Sequence, residues 1–155
     1  MARVGVALCD PDGVLATPLK TLKRDLKKNS DLRVLAKLVV EHAAVQVFVG
    51  LPRSLRGHET GSTQMARDYA SLLAEGLQEQ APGVSVRLID ERLTTVSAHR
   101  ALHDSGLDGR KHRQVVDQVA AADILQQALD MQKSLQRDVG DSVISGGRSA
   151  STDLQ

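Results

Sequence analysis

A mixed α/β sheet with helices on its faces is the fold class this sequence predicts. Two short strands joined by a tight turn open the chain, strand and helix periodicities then alternate, and each helical stretch carries one apolar face. Val4, Val6 and Leu8 share one side of an extended segment at period two. Asp10, Pro11, Asp12 and Gly13 supply turn chemistry, and Val14 to Leu22 is the return strand, with Pro18 placing it at a sheet edge. This is a hairpin. Ser30 is the expected N-cap of a helix that carries Leu32, Leu35, Leu38 and Val39 on one side and ends near Ala44. Val45 to Val49 reads as an apolar strand stopping at Gly50-Leu51-Pro52, followed by a polar loop through Arg53, Arg56, Gly57, His58 and Gly61. Ala66, Tyr69, Ala70, Leu73 and Leu77 mark a second helix, and Gly83 closes its connection. Val84, Val86 and Leu88 alternate along the next strand, which ends in Asp90-Glu91-Arg92. Thr94 or Thr95 caps a helix that includes Ala98, Ala101 and Leu102, and the last helix turns Val116, Val119, Ala120, Ile124 and Leu125 toward a core. Residues 1–136 form the expected domain. Beyond Gln136 the chain is rich in Gly, Ser and Asp with little apolar periodicity, so 137–155 is expected to be a disordered polar tail.

With 155 residues and 41% hydrophobic composition the chain can bury one core. Lysine plus arginine (20) nearly balances aspartate plus glutamate (19), so any basic surface must be local. One cysteine, Cys9, and no apolar leader exclude a disulfide framework and point to a reducing, cytoplasmic setting; Cys9 itself reads as a small buried apolar residue. No apolar run approaches the roughly 20 residues that span a bilayer, so a membrane is not an expected partner. Phe48 and Tyr69 are the only aromatic side chains, which argues against a base-stacking platform.

The chemistry-bearing residues are acidic. Glu91 stands at a strand end and Asp117 in a distant helix, and two such carboxylates can converge in a cleft to hold a divalent metal. Mg2+ or Mn2+ prefers hard oxygen ligands, and two such cations about 3.5–4 Å apart can activate water and stabilise a leaving oxygen in phosphodiester chemistry. The plain alternatives are a solvated strand-end carboxylate and a helix-surface charge. Asp90 precedes Glu91 on extended backbone and so points to the opposite face. Arg92 is equally suited to a phosphate or a carboxylate partner. Arg110, Lys111, His112 and Arg113 form a dense basic cluster, whose bland reading is a solvated loop. The histidines and Cys9 show no zinc-ligand spacing.

Five motifs occur in one order: Val6-Ala7-Leu8-Cys9-Asp10-Pro11-Asp12-Gly13, Ala16-Thr17-Pro18, Val49-Gly50-Leu51-Pro52, Asp90-Glu91-Arg92-Leu93-Thr94-Thr95 and Val116-Asp117-Gln118-Val119-Ala120-Ala121. On these the chain resembles the YqgF family, also called RuvX or Holliday-junction-resolvase-like, from about Ala2 to about Leu129. The resemblance implies a ribonuclease-H-like fold with an acidic metal site at the sheet edge. It also implies a nuclease that matures the 5′ end of precursor 16S ribosomal RNA, in ribosome biogenesis, with resolution of four-way DNA junctions as the alternative. Glu91 matches the family's Asp-Glu-Arg glutamate and Asp117 the aspartate of the last helix, which makes them the implied catalytic residues and ligands of Mg2+ or Mn2+. Arg92, Arg110, Lys111 and Arg113 become the implied contacts to a phosphate backbone.

The family's third carboxylate, in a Gly-x-Asp-x-Gly motif on a first, central strand, has no counterpart here. The expectation is that this strand lies upstream of Met1 and that the native chain is longer. Without it, two ladders lose a partner, at about 1–3 kcal/mol per unpaired buried group against a net stability of roughly 5–15 kcal/mol. Asp10 and Asp12 lie roughly 15–20 Å from where that aspartate would project. Were Met1 the true start, a noncatalytic nucleic-acid or ribosome-associated factor becomes the alternative. The fold and the metal chemistry serve RNA and DNA alike.

Overall fold

The computed structural model describes residues 3–52, 56, 58–91 and 110–143, with backbone alone for 110–115. The elements are strand β1 (Arg3–Cys9), β2 (Ala16–Lys23), helix α1 (Ser30–Glu41), β3 (Gln46–Leu51), α2 (Gly61–Gln80), β4 (Ser85–Asp90), α3 (Arg110–Leu135) and β5 (Asp141–Val143). The expected mixed α/β architecture is present: β1 and β2 pair antiparallel, β3 and β4 parallel, and β4 and β5 antiparallel. The pairing divides into a two-stranded and a three-stranded sheet, and α3 packs against both.

The hairpin forms where its turn residues place it. Gly13 takes φ +68°, which suits glycine, and the Asp10 carboxylate accepts from the amides of Val14 (2.7 Å) and Leu15 (2.9 Å). Asp10 therefore serves the turn. The ladder slips one residue between Val6 and Ala7, beside Pro18, whose missing amide is tolerated on this edge strand. Gln126 of α3 then clamps the turn's end, accepting from Ala16 N and donating to Val14 O, each at 2.9 Å. Cys9, expected to be buried, is half-buried, and burial with the neighbouring Asp10 charge pushes its thiol up.

Strand alternation sorts the core into two layers. Val86, Leu88 and Leu51 face α1 and α2, where Leu32, Ala36, Val39, Tyr69, Leu73 and Leu77 complete the larger cluster. Ile89 and Phe48 face α3 and meet Ala120, Ile124 and Ala128. Full burial of each large aliphatic side chain contributes about 1.5–3 kcal/mol.

Local capping departs from expectation at the start of α1. Asn29, in left-handed backbone, occupies the N-cap position of α1, and Ser30 is the first helical residue, its hydroxyl donating to Asp25 at 2.6 Å. Thr60 caps α2 through a reciprocal pair of bonds with Thr63, whose hydroxyl also donates to the Pro52 carbonyl.

The stretch expected to be a polar tail also departs. Val139 is buried, Asp141–Val143 pairs with β4, and the Arg87 guanidinium donates to the carbonyls of Val139 (2.5 Å) and Gly140 (2.7 Å). A strand this short and polar has too little periodicity to register in sequence; Arg87 holds it. Residues 144–155 and the helix expected around Ala98 lie outside the described residues.

A buried charge ties α1 to α2. Asp31 is 3% exposed and accepts from Tyr69 Oη (2.8 Å), Arg24 Nη1 (2.9 Å) and the Asp25 amide (3.1 Å), while Arg24 lies 4.9 Å over the Tyr69 ring. Burial pushes the Asp31 carboxyl up, but the Tyr69 hydroxyl, the backbone amides and Arg24 outweigh it and leave the group below its ordinary value. Hydrogen bonding from Ser30 first, then from the Lys28, Ser30 and Lys27 amides, lowers Asp25 to about 2. Both folded-state values lie below the unfolded ones, so this stabilisation is present above pH 3.8 and lost as pH falls toward about 2. Thermal melts followed by circular dichroism should show a constant midpoint from pH 7 to about 5 and a decline below about 4. Asp25→Ala should lower the neutral-pH midpoint and shrink that decline; an unaltered pH profile in the variant would refute this account.

Candidate active site

α3 brings the two candidate carboxylates to one face. Asp117, Ala120, Ile124 and Ala128 recur at helical spacing, so Asp117 is the polar N-terminal extension of the buried stripe. The stripe reaches the hairpin and the three-stranded sheet through two glycines. A Cβ at Gly5 would collide with the Asp117 carbonyl and lie 2.5 Å from its carbonyl carbon, so β1 touches the helix backbone directly. At Gly50 a Cβ would lie 2.8 Å from both Glu91 Oε1 and Ile124 Cδ1. Glycine inside a strand is the signal of such an approach, and it was available in the sequence at both positions.

Glu91 follows β4 directly and is 9% exposed. Strand parity puts it on the α3 side with Ile89, while Asp90 falls with Leu88 on the α2 side, as the alternation predicted. The Glu91 carboxylate thus rests over Gly50 beside Ile124. Ile124 lies two helical turns beyond Asp117, about 10 Å of axial rise. The Asp117 carboxylate, with its side chain 17% exposed, accepts from Arg3 Nε at 2.5 Å. Arg3 was not singled out from sequence, because a cation opening a strand has no local pattern that names a partner 114 residues away.

The donor chemistry of Glu91 and Asp117, two carboxylates, suits a hard divalent cation. Among the described residues no group of three or more His, Cys, Asp or Glu side chains gathers as a metal site. Two of the expected ligands therefore share a face, and a complete coordination set is not among the described residues.

The remaining candidates fall elsewhere. Arg110, Lys111 and Arg113 belong to the first turn of α3 rather than to a loop, and the structure describes only their backbone. Arg92, Arg53, Thr94 and Thr95 lie outside the described residues, and Arg56 and His58 are exposed after β3. No helix among the described residues is long and apolar enough to cross a membrane.

The comparisons agree with one another. A family model described as RuvX, Holliday junction resolvase, matches residues 1–131. A protein of Nocardia farcinica is 50% identical over 145 residues, covering 90% of this chain and 78% of its own length. One of Streptomyces coelicolor is 48% identical over 143 residues (92% and 82%), and one of Mycobacteroides abscessus 48% over 131 residues (84% and 76%). All three carry the name "Putative pre-16S rRNA nuclease".

Gly50→Ala tests the packing beneath Glu91. The added methyl must displace the carboxylate or Ile124, at about 1–3 kcal/mol in stability. Chemical denaturation should register that loss, and a midpoint equal to wild type would contradict the close approach described.

Proposed function

The chain belongs to the RuvX family, and from that premise we propose that it is a phosphodiester-cleaving nuclease acting on precursor 16S ribosomal RNA, at its 5′ end. The observation that supports this reading is that Glu91 packs beside Ile124 of α3 and Asp117 continues the same helical stripe, both within the motifs that carry the family resemblance, in a chain half identical to proteins named for that activity. Glu91 is held away from bulk water between Gly50 and Ile124, and Arg3 fixes the orientation of the Asp117 carboxylate. These two acids are the proposed ligands of Mg2+ or Mn2+, which when bound would supply water activation and leaving-group stabilisation.

Arg110, Lys111, Arg113 and Arg92 are the proposed phosphate contacts. The first three stand at the N-terminus of α3, where the helix dipole disfavours cations by about 0.3–1 kcal/mol each. A phosphate there would relieve that repulsion. The substrate argues for a cytoplasmic protein that meets ribosomal precursor particles. The family description favours one second reading, cleavage of four-way DNA junctions.

Cleavage of a precursor 16S fragment and of a four-way junction, assayed side by side with Mg2+ or Mn2+, separates the readings. RNA cleavage that chelation abolishes, and that falls about 100-fold or more in Glu91→Gln and in Asp117→Asn, is the expected result. Junction cleavage alone would move the chain to the second reading. RNA binding without cleavage of either substrate would make it a noncatalytic factor.

A further inference from the structure

The charge balance of the whole chain conceals a concentrated basic segment. Residues 20–37 hold Lys20, Lys23, Arg24, Lys27, Lys28, Arg33 and Lys37 against only two acids, Asp25 and Asp31, although the complete chain is +1. The fold turns both acids away from solvent work. Asp31 is buried with Tyr69 and Arg24, and Asp25 spends its oxygens on the amides of Lys27, Lys28 and Ser30 and on the Ser30 hydroxyl.

The charge left outward along the loop between β2 and α1 is cationic, and Glu75 and Glu79 of α2 line the groove that Lys28 borders. Lys23, Lys27 and Lys28 are exposed, and none of them makes a side-chain hydrogen bond or ion pair among the described residues. Lys23 stands directly opposite Arg3 in the hairpin ladder, and Arg3 is the partner of Asp117. Like charges directly opposite on a ladder are destabilising. The pairing is tolerated because the Arg3 charge is met by Asp117, which leaves Lys23 outward beside the candidate site. The lysines then continue along the loop between β2 and α1.

We propose that Lys23, Lys27 and Lys28 form a phosphate track on which the backbone of a structured RNA lies as it leads to the Glu91 and Asp117 face. The proposal rests on the nuclease reading above and adds a binding surface distinct from the basic first turn of α3. The partner it fits is a polyanion with regularly repeated charge. Three ammonium groups without a partner among the described residues, in a chain with almost no aromatic side chains, suit backbone contact rather than base reading.

The test is the salt dependence of binding between the chain and a labelled precursor 16S rRNA fragment, measured for wild type, for the triple variant Lys23→Gln, Lys27→Gln, Lys28→Gln, and for Lys133→Gln in the last turn of α3 with Arg137→Gln just beyond it. Each neutralised phosphate contributes a slope of about 0.9 in log K against log salt on a duplex, or about 0.7 on a single strand. The triple variant should lose roughly 2–3 from that slope, and the control pair should match wild type. Circular dichroism melts confirm that the triple variant remains folded. A triple variant that keeps the wild-type slope, while wild type still cleaves RNA, overturns the track and leaves the nuclease reading standing. Equal slope loss in the control pair overturns it as well, because the effect would then be bulk charge. Loss of affinity for anionic phospholipid vesicles with an unaltered RNA slope assigns the lysines to a lipid surface and refutes the proposal. A wild type that neither binds nor cleaves RNA removes the track together with the reading beneath it.

Discussion

Everything at the candidate site depends on how closely α3 lies against two strands that do not pair with each other. Among the described residues β1 bonds only to β2 and β3 only to β4, so the helix bridges the two sheets. Bridging at this distance requires the absence of a side chain at the contact. Gly5 admits the helix backbone at Asp117, and Gly50 admits Glu91 and Ile124. A protein interior packs at crystal-like density, so an added methyl at Gly5 would meet helix backbone, and one at Gly50 would have to displace the Glu91 or Ile124 side chain.

That same constraint decides which polar groups face the seam. Asp117 continues the apolar stripe of Ala120, Ile124 and Ala128, so the register that buries the stripe also delivers the carboxylate. Glu91 arrives by the parity of β4, one residue beyond the strand and two beyond the buried Ile89. Packing and chemistry therefore share one set of backbone positions, and a slip of one residue in β4 would exchange Glu91 for Asp90 on the α3 side.

Charge is distributed by the same logic of what the fold consumes. Asp25, between β2 and α1, is engaged in capping and Asp31, in the first turn of α1, in the network of Tyr69 and Arg24, while the neighbouring lysines are left outward. Arg87, by contrast, turns to the carbonyls of Val139 and Gly140 and holds β5 on the sheet. Net charge near zero thus says little about the surface.

The sequence by itself determined the elements whose causes are local. Alternation in Val4, Val6 and Leu8, turn residues at Asp10 to Gly13 and the apolar faces of α1 and α2 were legible because strand and helix periods and turn chemistry act over a few residues, while the motifs around Glu91 and Asp117 were legible through the family resemblance. Other features belong to the tertiary structure alone. The Arg3 to Asp117 pair spans 114 residues, the network of Asp31 joins α1, α2 and the loop after β2, and β5 is a three-residue strand that exists because Arg87 and the edge of β4 receive it. Ion pairs and edge pairing are set by which surfaces meet in space, and no spacing along the chain encodes that. The two acids were legible as a candidate site and the two glycines as places of close approach, but what approaches them, and the arginine that meets Asp117, became visible only when the helix was laid across both sheets.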